Sequence, residues 1–196
     1  MGEHPMFRRR INRLIEALRN IRIARVPQKD VIIYDSFSER HLYPLLDMSR
    51  ADVFHVDLRR PNLWIAIRSL RYGKPSVLNY LLAYIATVKP QVVITTCDNS
   101  INFYAIKRRF PNVTTIAIQN GRRNTFGPRP NSSFQTSLRQ LQHGPNVDYY
   151  FTFGTTEIRQ FRDLIRATFV CHGNLKNNYL AHLESTKKSE KKSLAY

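Results

Sequence analysis

Apolar positions fall first into a helical rhythm and then into short separate runs. Phe7, Ile11, Leu14, Ile15, Leu18 and Ile21 share one face at helical spacing. Arg8, Arg9, Arg10, Arg13 and Arg19 flank that face, and Pro27 closes the segment. The spacing predicts an amphipathic helix from Phe7 to Val26. From Asp30 onward, short β-rich runs alternate with helical ones. Strands are predicted at Val31 to Tyr34, Val53 to Val56, Val92 to Thr96, Val113 to Ile118, Asp148 to Phe153 and Thr168 to Cys171. Helices are predicted from Ser38 to about Asp47, Leu63 to Tyr72, Val77 to Val88, Asn99 or Ser100 to Phe110, Ser133 to Gln142 and Thr156 to Arg166. The stretch from Asn120 to Ser133, with its Gly and Pro, reads as a loop.

Strands alternating with helices predict an α/β, Rossmann-like domain. Its sheet should be mostly parallel, with about six strands and helices on both faces. The predicted organisation is a basic helix over 1–29, the α/β domain over 30–183, and a Lys- and Ser-rich tail over 184–196 expected to be disordered.

Composition narrows the class. A chain of 196 residues with 42% hydrophobic content is large enough for one sizeable core. No apolar run reaches the length of a bilayer span, and no secretory signal core is recognisable. The two cysteines, Cys97 and Cys171, form neither a disulfide framework nor a metal spacing, and both read as small residues ending buried strands. A cytoplasmic protein is expected, with no metal and no cofactor. The net charge of +17 calls for an anionic partner: nucleic acid, acidic lipid or a phosphorylated ligand. A non-catalytic basic module for nucleic acid or an anionic membrane is therefore the alternative reading. Nucleic acid is disfavoured because the basic residues are spread along the chain and no recognised binding motif occurs.

Candidate chemistry gathers after the strands, where open parallel sheets bind ligands. Asp35-Ser36, Asp57 with Arg59-Arg60, Asp98-Asn99-Ser100, Gln119 to Arg123, Gly154-Thr155-Thr156 and His172-Gly173-Asn174 follow the six strands in turn. Each set also has a plain structural reading. Asp98-Asn99-Ser100 and Gly154 to Glu157 suit helix caps, Asn120-Gly121 suits a turn, and His172 suits a structural histidine. Arg122 and Arg123, adjacent in a Gly-containing loop, suit either a bound phosphate or carboxylate or a solvated loop. There is no P-loop, G-x-G-x-x-G or G-x-S-x-G.

Four blocks in order carry a family resemblance. They are Pro90 to Asn99 with Phe103-Tyr104, Ile118 to Arg123, Asp148 to Gly154, and Gly173 to Asn178. Together they resemble the bacterial surface carbohydrate biosynthesis proteins, glycosyltransferase-like transferases related to the GT-B fold, over roughly residues 30 to 180. The resemblance implies the first of two Rossmann-like halves, the acceptor-side half. The second half would hold a nucleotide-sugar and be lost, encoded separately as a donor-domain protein, or lie outside this chain. It implies that Asp98, Asn99, Gln119, Asn120, Arg122 and His172 line the cleft, and from that location Asp98 and His172 are expected to be catalytic. Gly121, Arg123, Gly154, Gly173 and Asn174 complete the expected substrate-binding set. The acceptor would be a saccharide or lipid-linked. Arg8, Arg9, Arg10 and Arg13 would then contact an anionic membrane at its inner face.

Overall fold

Six runs of apolar and β-branched residues pair side by side: β1 (Val31–Asp35), β2 (Ala51–His55), β3 (Val92–Thr95), β4 (Thr114–Ile118), β5 (Asn146–Thr152) and β6 (Arg166–Cys171). The computed structural model describes residues 20–35, 39–58, 60–121, 136, 138–139, 141 and 144–175. The sheet order is β2-β1-β3-β4-β5-β6, and every pairing is parallel. Five helices are bounded by described residues: α1 (Leu63–Ser69), α2 (Val77–Val88), α3 (Ile101–Tyr104), α4 (Ile106–Arg109) and α5 (Thr155–Phe161). The fold is the expected α/β, Rossmann-like one.

The connections divide between the two faces for a topological reason. Crossovers between parallel strands are right-handed, so reversing the direction of travel across the sheet moves the connection to the opposite face. Travel from β1 to β2 is leftward, and from β2 onward it is rightward. Alternate side chains of β1 follow this division. Ile32 and Tyr34 enter the larger core, with Tyr80, Leu81 and Ile85 of α2, Phe103 of α3, Ile106 of α4 and Phe161 of α5. Ile33 enters a smaller core on the other face, with Leu42, Ile94, Ile118 and Leu175. Burial on both faces explains why the strands read as apolar runs rather than alternating ones.

Several sequence boundaries move. Residues 20–26 are not helical, whereas the spacing predicted a helix through Val26. Their backbone is taken by the turn before α1: Arg22 N–H donates to Pro61 O (2.8 Å), and Leu63 N–H donates to Arg22 O (2.9 Å). The earlier part of that predicted helix lies outside the described residues. So do Arg8, Arg9, Arg10 and Arg13, the loop from Arg122 onward, and the tail. Instead of a helix to Asp47, two 3-10 turns occupy Glu39–His41 and Tyr43–Leu45. Pro44, which has no N–H to donate, falls within the second. The helix predicted up to Phe110 is split at Ala105, where the N–H turns back to Asn102 O at 3.3 Å. Phe103 and Tyr104, adjacent in sequence, are both buried just before that break. Helix α5 stops at Phe161 rather than Arg166, because Arg166 N–H is used by Pro145 O at the start of β6. Thr136, Leu138 and Arg139 are helical, within the predicted Ser133 to Gln142 segment. Cys171 is exposed, not buried, and neither cysteine forms a disulfide among the described residues.

At the amino edge of the sheet, Asp148 ties β5 to β4. Its Oδ2 accepts from Thr115 N–H (2.8 Å) and from the Thr115 hydroxyl (3.0 Å), while Lys107 Nζ lies 2.7 Å from Oδ1. Burial pushes the Asp148 carboxyl up. The Lys107 ammonium and the Thr115 donors together outweigh that and hold it below the usual range. A depressed folded-state pKa contributes stability above the unfolded value of about 3.9 and loses it as pH falls through the folded value. Lys107→Met is therefore expected to destabilise the chain at pH 7 and to matter less once Asp148 is protonated. Urea midpoints at pH 7 and at the lowest pH where the fold persists measure this. An equal gap between wild type and variant at both pH values would refute the linkage.

Candidate functional site

A parallel sheet brings all six strand ends to one edge, and the order reverses between β1 and β3. Ligands of such sheets bind outside the carboxyl ends, at that reversal. Among the described residues, polar groups at the reversal point pair with one another, and residues 36–38 lie outside those described. The Thr95 hydroxyl donates to Tyr34 O (2.6 Å) and accepts from Cys97 N–H (2.8 Å). The Tyr34 hydroxyl and Ser100 Oγ share a 2.6 Å hydrogen bond. Burial pushes the Tyr34 phenol up to about 12, so it stays protonated at neutral pH. Further along the edge, the described residues include exposed polar groups.

Asp98 is not a helix cap. Ser100 holds the N-cap position of α3 without a side-chain cap bond. Asp98 is fully buried, and its Oδ2 accepts from the Tyr150 hydroxyl at 3.0 Å. The Tyr104 hydroxyl donates to the Asp98 backbone carbonyl at 2.6 Å. The residue after the β3 end is thus held twice, its carboxylate by a phenol from β5 and its backbone carbonyl by a phenol from α3. Sequence reading missed both phenols as partners, because the pairing spans 52 residues to Tyr150 and depends on sheet order. Asn99, the next residue, is exposed.

Gln119 is buried and braces the edge. Its Oε1 accepts from Phe153 N–H (3.0 Å), and its Nε2 donates to Gly121 O (3.2 Å). It joins the β4 and β5 ends and fixes the start of the Asn120-Gly121 turn. Asn120 and Gly121 are half-buried there, and a Cβ at Gly121 would meet nothing within 4 Å. Gly154 is the N-cap of α5, with extended backbone and no side-chain cap bond, so the expected capping by the Thr and Glu side chains is not what starts that helix. The Gly154 carbonyl accepts the first helical bond, from Ile158 N–H at 3.3 Å, and also accepts from the Thr152 hydroxyl at 3.2 Å.

Beyond β6, His172 is exposed. Its backbone N–H donates to Thr152 O (2.9 Å), and its ring stands edge-on to Phe151 at 5.7 Å between centroids. The imidazole is oriented by an aromatic neighbour and open to solvent. Gly173 has φ +78°, a left-handed conformation that favours glycine, and it turns the chain so that Asn174 follows, half-buried, beside His172. Neighbouring strands lie about 4.8 Å apart, so the ends of β3 to β6 span roughly 14 Å. Asn99, Asn120, His172 and Asn174 follow the ends of β3, β4 and β6 and make up a ledge along that edge, next in the chain to the buried Asp98 and Gln119. Arg122 and Arg123 lie outside the described residues. Asp57 is exposed after β2, and Arg60 lines a separate cavity beyond it. Among the described residues no group of three or more His, Cys, Asp or Glu could hold a metal, and no helix is long and apolar enough to cross a membrane.

The fold and this ledge define a Rossmann-like α/β protein with a polar strand-end surface. Residues 116–196 match a family described as "putative O-antigen biosynthesis protein". At a coarse level the match connects the chain with surface carbohydrate biosynthesis. It takes in the Gln119 to Arg123, Asp148 to Gly154 and Gly173 to Asn178 blocks, and not Asp98 or Asn99. No curated protein and no solved structure matches the chain.

Proposed function

We propose that the chain forms the acceptor-side wall of a glycosyltransferase-like site in surface polysaccharide or glycolipid biosynthesis. The observation that carries this reading is the ledge itself. An exposed imidazole and three amides of a kind suited to sugar hydroxyls follow the strand ends along one edge, largely within the segment that resembles O-antigen biosynthesis proteins. His172 is the better base of the two acids and bases expected from sequence, because Asp98 is sealed from solvent by the core. In this reading His172 takes the proton of an acceptor hydroxyl as its oxygen bonds to the anomeric carbon of the donor sugar. The bond from that carbon to the diphosphate oxygen breaks, and the diphosphate leaves with the electron pair. Asp98 and Gln119 act as positioning residues for the β3, β4 and β5 ends. Arg122 and Arg123 keep their sequence assignment to a phosphate of the acceptor or donor.

A GT-B-type cleft has two Rossmann-like halves, and the described residues form one. The donor sugar is supplied with a second half, wherever it is encoded. A lipid-linked acceptor also fits an exposed apolar stripe on α1 and just after it. Trp64, Ile67 and Leu70 are more than half exposed, and Arg68 and Arg71 lie between and beyond them. The test is co-sedimentation of the purified chain with anionic vesicles, with and without a polyprenyl-diphosphate-linked monosaccharide, alongside assays of nucleotide-sugar turnover. The expected result is recovery that rises with the glycolipid, and little turnover by the chain alone. Recovery indifferent to the glycolipid would refute the acceptor role. Robust transfer by the isolated chain would refute its restriction to the acceptor side.

A further inference from the structure

A cavity of about 580 Å³ lies past the free edge of β2, away from the ledge. That volume is within the range of small-molecule pockets, roughly 300–1,000 Å³. Its floor is aromatic: Phe54 of β2 packs against Tyr80 and Tyr84 of α2, with ring centroids 6.0 and 5.2 Å apart. Its outer wall is the non-helical segment from Arg22 to Pro27. That wall is fixed in place. Besides the two backbone bonds of Arg22, the buried Asn62 side chain donates to Ala24 O at 2.7 Å. Asn62 is itself held from both sides: its Oδ1 caps α1, and its N–H donates to the Tyr80 hydroxyl at 2.7 Å.

The charges in this cavity do not cancel. Arg22, Arg25 and Arg60 line it, and His55 stands with them. The one carboxylate in its lining is Asp52, and both of its oxygens are engaged. Oδ2 accepts from the Tyr84 hydroxyl at 2.5 Å, and Oδ1 accepts from Val53 N–H at 2.8 Å. Three arginines lining a braced pocket, with the carboxylate already hydrogen-bonded, suit an oxyanion. Guanidinium groups prefer the planar, multidentate recognition that phosphoryl oxygens offer. The pocket also has room beyond one phosphate, over a floor of rings.

We infer that this cavity is a binding site for the phosphoryl group of a phosphorylated small molecule or lipid headgroup, held by Arg22, Arg25 and Arg60. The inference stands apart from the strand-end ledge and does not depend on the transferase reading. It is tested by calorimetric titration of the full chain with inorganic pyrophosphate and with dihexanoyl phosphatidic acid kept monomeric. At least one is expected to bind at one per chain. Arg22→Gln/Arg60→Gln is expected to weaken that binding about tenfold or more, through loss of charge-assisted hydrogen bonds. Arg60→Gln alone should weaken it in the same direction. Arg162→Gln, at an exposed guanidinium next to Asp163, should leave it unchanged. Binding of pyrophosphate would identify a soluble phosphate ester as the source, and binding of the lipid alone a headgroup. Failure of both probes to bind, wild-type affinity in the double variant, or an equal loss in Arg162→Gln would overturn the proposal.

Discussion

Phe103→Ala is expected to lower the stability of the chain by about 3–5 kcal/mol. The ring is fully buried at the start of α3, tilted against Tyr34 at 5.7 Å and edge-on to Tyr104 at 5.9 Å. Tyr34 in turn stacks on Phe54 with 6° between the rings, which links β1, β2 and α3 through one aromatic column. Truncation removes the transfer energy of the ring and leaves a void. Tyr34, which would have to move into that void, is also tied to Ser100 by a hydrogen bond. Domains of this size are stable by only about 5–15 kcal/mol, so the loss is a large share of the total. The urea midpoint measures it. A loss below about 1 kcal/mol would mean that the core collapses over the site and that the column is not a rigid unit. The same variant should disturb the edge of the sheet, because Asp98 and Tyr104 flank Phe103 and are hydrogen-bonded to each other.

His172→Ala is expected to have the opposite profile, a large effect on transfer and little on folding. General-base catalysis contributes about 10²- to 10⁴-fold, so kcat in a system supplied with the donor half should fall by that order. The imidazole is exposed, and the one backbone bond of His172, to Thr152 O, survives the substitution. Exposed substitutions of this kind change stability by about 0.5 kcal/mol or less. Unchanged kcat would remove His172 as the base. A fall in kcat matched by an equal fall in the thermal midpoint would make the residue structural. Asp98→Asn serves as the companion variant. An amide can still accept from the Tyr150 hydroxyl, so a positioning role predicts a much smaller loss than His172→Ala gives.

Much of the architecture was readable from residue patterns because it is local. Val77–Val88 is bounded as predicted, with Ser76 capping Asn79 N–H and Lys89 leaving the helix in the left-handed region. The strands shift by a residue or two at most, since buried parallel strands announce themselves as β-branched runs. The errors occur where a distant segment competes for the backbone. Residues 20–26 lose their helix to the turn before α1, and Arg166 leaves its helix for Pro145.

The candidate site divides in the same way. Sequence alone determined that polar residues follow every strand, because alternation of strands and helices implies a parallel sheet and a parallel sheet has one carboxyl edge. Which of those residues face solvent was decided by side-chain pairing across the sheet. Asp98 reads as a helix cap, yet it is drawn inward by Tyr150, a residue that only strand order brings next to it. Gln119 reads as a ligand group, yet its amide is spent on Phe153 and Gly121. Of the three arginines lining the cavity past β2, the sequence pattern marked only Arg60, in the set that follows β2. Arg22, Arg25 and Arg60 meet because the segment before β1 is pinned to the turn before α1. Periodicity reports what a residue does within its own element. Contacts between elements far apart in the chain are set by packing, and the chemistry of this protein depends on those contacts.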